Sequence, residues 1–163
     1  MDAGYQGTRR APAAASTAVA DAAREQSAGA DYYRDDARFL AALEDCSLPP
    51  VLFDHAAHVR AGYLYLRRVP FPQATAMMCA TVERYARSLG KPERYHETIT
   101  VAFMALINMT LQLQPQPQAS GWQHFHRRNP QLLRSEALLA YYPRAVLDSP
   151  AARRCFTLPP LAG

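Results

Sequence analysis

Lysine is nearly absent: Lys91 is the only one in 163 residues. The chain is nevertheless basic, at net +4 and a pI of about 9.1. Without a lysine cluster or an RNP-like run of aromatics, nucleic acid is not expected as a partner. No stretch approaches the roughly 18 apolar residues of a membrane-spanning helix, so no membrane association is expected. No Gly-rich phosphate loop is present. The three cysteines, Cys46, Cys79 and Cys155, are scattered, with no CxxC and no zinc-finger spacing, and read as free thiols of a reducing compartment. The N-terminal run "APAAASTAVADAA" lacks Leu and Phe and is a poor signal peptide. A cytoplasmic location is the expectation. No stretch alternates apolar and polar residues as a strand would, and no internal repeat occurs.

What remains is a helical pattern. Residues 1–30 are rich in Ala, Ser and Gly, with Tyr5 their only aromatic. They are expected to form a disordered Ala-rich tail, since they bury too little to offset the entropy of ordering. Residues 31–163 are expected to form one helical domain, all-α, a bundle of about three main helices with shorter C-terminal ones. "DDARFLAALEDCSLPP" is a first helix, capped by Asp35 or Asp36, with Phe39, Leu40 and Leu43 as its apolar stripe and Pro49-Pro50 as its end. A second helix starts after Asp54, a good N-cap, and runs to about 68. On its wheel His55, His58, Val59, Gly62, Tyr63 and Leu66 share the inward side. Arg60, Arg67 and Arg68 fall opposite, and Leu64 lies among the polar positions. A third helix spans about 73–89, with Ala74, Met77, Met78, Thr81, Tyr85 and Leu89 inward and Gly90 after its end. A fourth opens at Pro92 and runs to about 113, with His96 central on a face shared by Ile99, Thr100, Phe103, Ile107 and Thr110. After a polar, Pro-rich loop over 114–121, short helices are expected near 122–127, 131–141 and 149–155. Six arginines against two acids from Trp122 onward carry the net charge.

The candidate site follows from these faces. Imidazoles at i and i+3 lie on one helical face and can reach one metal ion. If the second to fourth helices run up, down and up, the second and fourth are parallel. His55, His58 and His96 then sit at one level, within a turn of their helix starts. Three nitrogens and an open position are the arrangement of a catalytic metal. Around them, Glu97 or Glu93 would act as base or as a partner orienting His96. Tyr95 would offer a phenol, as would Tyr63 and Tyr65, and Thr100 a hydroxyl. "HET" is not the start of HExxH, since position 100 is Thr. His124 and His126 read as surface residues, and Cys79 as a small core residue.

Three blocks of the chain, "FLAALEDCSLPPVLFDHAAHVRAGYLYLRR", "RYHETITVAFMALI" and "NPQLLRSEALLAYYPRAVLDSPAARRCFTLP", carry a further signal. In that order they resemble a family of small bacterial helical proteins with FxHxxH and YHET[IL]T motifs and a closing Y-Y-x-x-x-x-L-x-S-x-x-A-R. The likeness covers about 39–159. The motif residues are Phe53, His55, His58, Tyr95, His96, Glu97, Thr98 and Thr100, then Tyr141, Tyr142, Ser149 and Arg153. The resemblance implies a shared site and names no chemistry.

Three readings of function stand at this point. The first is a small metal-dependent enzyme acting on a small metabolite, with His55, His58 and His96 holding a divalent transition metal such as Zn, Fe or Cu. The second is a metal-free pocket for a small molecule, with the histidines as hydrogen-bonding groups. The third is a protein-interaction module that uses the basic C-terminal segment, with the histidines purely structural.

Overall fold

A computed structural model describes Tyr32, residues 34–114 and residues 121–160. The expected N-terminal tail and most of the Pro-rich loop lie outside the described residues. The chain divides after Asp35, and the unit that begins at Asp36 carries everything below. It is all-α, with no strand among the described residues.

Helix α1, Asp36–Glu44, buries Phe39, Leu40, Ala42 and Leu43. Helix α2, His55–Arg68, starts as its N-cap predicts, with the Asp54 carboxylate accepting from the Ala57 amide at 2.8 Å. Helix α3, Phe71–Ser88, begins two residues before the expected start, because Pro72 suits a first turn that needs no amide donor. It ends at Gly90, whose φ of 66° is the left-handed conformation that closes a helix. Helix α4, Glu97–Leu113, returns alongside α2 and α3, and these three pack against one another as the core of the unit. Helix α5, Trp122–Arg128, sets Trp122 and Phe125 against Tyr63 of α2, at 5.9 and 4.8 Å between ring centroids. Short helices α6, Arg144–Leu147, and α7, Pro150–Arg154, close the chain, and Ser149 caps α7.

Several sequence expectations need correction. Arg60 does not face water. It is 4% exposed, and its Nε and Nη2 donate to Asp36 Oδ1 at 2.8 and 2.5 Å. Its guanidinium also lies 4.4 Å from the centre of the Phe39 ring. Asp36 is thus a partner for a buried charge, which needs pairing to be tolerated. Leu64 is buried as well. Helix α2 is covered on most sides, and of its expected polar face only Arg67 and Arg68, in the last turn, are exposed. Met77 and Leu89 of the expected inward side of α3 are half-covered, while Val82 and Ala86 are buried. Pro92 does not open α4. It starts a separate 3-10 turn, Pro92–Arg94, and the chain extends at Tyr95 and His96 before α4 begins. The helix expected near 131–141 is two 3-10 turns, Pro130–Leu133 and Ser135–Ala140, split by an extended Arg134. His126 is not a plain surface residue, since its Nδ1 is buried without a partner and its ring lies 5.3 Å from Trp122.

Helices α2 and α4 approach closely at Gly62. A Cβ there would stand 2.9 Å from both Ile107 Cδ1 and Met104 Sδ. Both atoms lie at or next to the ends of flexible side chains and can give way. Alanine also gains about 1 kcal/mol in helix propensity over glycine. Gly62→Ala is therefore expected to change stability by no more than about 1 kcal/mol, and Gly62→Leu to cost about 2–3 kcal/mol through overpacking. Urea melts of the two variants check this; equal losses in both would show that the backbones, not the side-chain tips, set the limit.

Candidate functional site: a histidine-lined cavity

The start of α2 fixes two of the three histidines. His58 Nδ1 lies 2.9 Å from the Asp54 carbonyl oxygen. A carbonyl only accepts, so Nδ1 carries the proton and Nε2 keeps its lone pair. The ring stacks on Phe53, with centroids 3.9 Å apart and planes at 26°. Desolvation pushes the His58 pKa below its ordinary value of 6.5, assisted by nearby His55 and opposed by the Asp54 carbonyl. His55 Nε2 lies 3.0 Å from the carbonyl oxygen of Leu132, 77 residues away, and therefore donates to it. Its Nδ1 keeps the lone pair, and its ring meets Phe103 edge-on at 4.7 Å. Among the described residues the only buried side-chain polar atom without a partner is Nδ1 of His126. The free nitrogens of His55 and His58 are therefore within reach of water.

His96 is differently employed. It is the N-cap of α4, with extended φ and ψ, and its Nδ1 accepts from the Ile99 amide at 3.3 Å. Its Nε2 donates to the Leu147 carbonyl oxygen at 2.7 Å. Both ring nitrogens are spent on the fold. The expectation that His96 sits one turn inside a helix, with a nitrogen free for a ligand, is corrected: no lone pair remains. Among the described residues no three His, Cys, Asp or Glu side chains are grouped to hold a metal ion. The three-histidine set expected to bind Zn, Fe or Cu is not assembled.

The three imidazoles nevertheless line one cavity of about 280 Å³. Val59, Met78, Val82, Ile99, Phe103, Met104 and Ile107 supply its apolar wall, and Asp54, Arg94 and Thr100 join the histidines as its polar groups. Thr100 donates its hydroxyl to the His96 carbonyl at 2.9 Å and keeps its oxygen lone pairs. A second cavity of about 290 Å³ shares Phe53, His58, Val82 and Arg94 with the first. The stacked Phe53–His58 pair thus belongs to both.

The other expected site residues lie elsewhere. The Tyr95 phenol donates to the Glu97 carboxylate and lies near the Cys79 thiol. Burial, then these two neighbours, raises the Tyr95 pKa, and burial raises that of Cys79, so the phenol and the thiol keep their protons. None of the three lines the cavity. Glu93 is exposed and engages the fold through its backbone. Tyr63 packs on Trp122 and Phe125. The Tyr65 hydroxyl joins Glu44 and Thr81 at 3.0 and 2.9 Å, and burial pushes its pKa up to about 12. Of Glu97, Glu93, Tyr95 and Thr100, only Thr100 faces the cavity. The reading from sequence missed Arg94, although it sits two residues before His96. It placed Met78 on an inward face without assigning it to the site, and it missed Met104.

No protein-family model, no curated protein and no solved structure matches the chain.

Two outcomes follow from these bonds. His96→Ala removes the cap and leaves the Leu147 carbonyl unpaired, a combined loss of about 2–4 kcal/mol. His96→Asn keeps a capping oxygen and should recover about 1 kcal/mol of it. Chemical denaturation measures both, and a His96→Ala protein as stable as the parent would contradict the structural role. The second outcome concerns pH. Above 6.5 His58 is neutral in the folded and unfolded chain alike. As pH falls through that value the unfolded chain takes up a proton that folded His58 resists, so stability drops until the lower folded pKa is passed. His58→Phe, which keeps a ring against Phe53, should reduce the fall in Tm between about pH 8 and pH 5. An unchanged slope would mean that His58 titrates as it does in the unfolded chain.

Proposed function

We propose that the protein is a binding module that takes a small, mostly apolar molecule into the α2–α4 cavity without a metal ion. The observation that carries this reading is one half-open, largely apolar cavity into which a few polar groups converge. A dry cavity of about 150 Å³ holds benzene, so a space near twice that size admits a ligand of roughly ten heavy atoms. His58 Nε2 and His55 Nδ1 offer acceptors, Thr100 an oxygen and Arg94 donors. Such a set orients a ligand. The two free imidazole nitrogens are the groups that a reaction would have to use.

Methyl NMR tests the reading directly. Met78 and Met104 line the cavity, whereas Met109 lines a separate surface groove and is 46% exposed. With ¹³C-methyl methionine, titration with 1-octanol is expected to shift Met78 and Met104 and leave Met109 in place. Shifts at Met109 alone would refute the pocket. So would a stoichiometric transition metal that survives chelator-free purification and is lost in His55→Ala and His58→Ala.

A further inference from the structure

Among the described residues Arg94 is the one Arg or Lys side chain lining the cavity; it lines the neighbouring cavity too, and it is exposed. Its guanidinium has no hydrogen-bond or ion-pair partner among the described residues. Neither acid that flanks it in sequence pairs with it: Glu93 is exposed and engages the fold through its backbone, and Glu97 is engaged by Tyr95. Asp54, which also lines the cavity, accepts from the Ala57 amide. The backbone that carries Arg94 is nonetheless held in place. Arg94 closes the Pro92–Arg94 turn, its amide donating to the Lys91 carbonyl at 3.0 Å. On either side of it, Arg153 Nη1 donates to the carbonyl oxygens of Glu93 at 2.7 Å and Tyr95 at 3.3 Å. A fixed turn therefore presents an unpaired, solvent-exposed guanidinium at a largely apolar cavity.

A guanidinium has donors only, and it binds carboxylates in bidentate fashion. Arg94 supplies one positive charge and the Asp54 carboxylate opposes an anion, so the site suits at most a monoanion in direct contact with Arg94; a phosphate dianion would need more positive charge. The walls, Met78, Met104, Ile107 and Phe103, suit an unbranched or aromatic hydrocarbon body. We infer that the ligand is a small amphipathic carboxylic acid of roughly ten heavy atoms, its carboxylate on Arg94 and its hydrocarbon body inside the cavity. This rests on the pocket reading above and adds the anion.

Octanoate and 1-octanol separate the two claims, because they share a tail and differ in charge at neutral pH. Calorimetry of each, paired with the methionine methyl shifts, is run on the full chain and on Arg94→Gln. The expected result is octanoate binding at least tenfold tighter than octanol. In Arg94→Gln that preference should vanish while octanol still shifts Met78 and Met104. Equal affinity for the two in the parent protein would overturn the anion assignment and leave the pocket standing. A preference for octanoate that persists in Arg94→Gln would overturn the role of Arg94. If neither compound moves Met78 or Met104, both the pocket and the acid fail. The retained octanol response also reports that Arg94→Gln is folded.

Discussion

The six residues from Glu93 to Thr98 anchor the end of the chain to the bundle. Arg153 holds the Glu93 and Tyr95 carbonyls, and His96 holds the Leu147 carbonyl. The Thr98 hydroxyl donates to the Cys155 carbonyl and accepts from the Thr157 amide, both at 3.0 Å. These partners lie 51 to 60 residues further on. The same few residues also start α4, through the cap that His96 makes. The short helices after α5 bury one apolar residue each, Leu132, Leu138, Leu147 and Ala152, and these hydrogen bonds add to that contact by keeping buried carbonyls paired. Without that node, the Arg94 turn would lose its outer support, and α4 would lose its cap.

This gives "YHET" a physical reading that its composition hides. His, Glu, Thr and Tyr in a row look like catalytic equipment, and the spacing argument treated them so. In the fold each has an internal partner: Tyr95 binds Glu97, His96 binds Ile99 and Leu147, and Thr98 binds Cys155 and Thr157. The wheel arithmetic for α4 assumed one continuous helix from Pro92, and the break at 95–96 turned an inward face into a cap. Nothing local to "RYHET" points to Leu147 or Cys155, because hydrogen bonds across such separations leave no trace in periodicity. Arg60 was misread for a similar reason: a helical wheel cannot show that Asp36, on another helix, will neutralise it.

Much else was legible. Asp54 as a cap, the helix it starts, the apolar stripe of α1, the turn at Gly90 and the Ser149 start of α7 are local effects of residue type. The expectation that α2 and α4 bring three histidines toward one place came from helix direction and spacing, and all three line the same cavity. What spacing could not supply was the hydrogen-bond state of each ring. His55 and His58 each spend one nitrogen on a carbonyl and keep one free, whereas His96 spends both. Three residues of one type at one level thus have two different chemical capacities.

Gly62 gives the cavity a dimension that no polar group controls. Its missing Cβ lets Ile107 and Met104 lie against the backbone of α2, and both side chains also form the cavity wall. A larger residue at this one position would press them toward the open space beside them. The longest guest that fits would then be set from behind the wall, one carbon at a time, with the polar end of the site unchanged. For a ligand of the proposed kind, length would be set at Gly62 of α2 and the acid headgroup at Arg94 of the Pro92–Arg94 turn, and either could drift without disturbing the other.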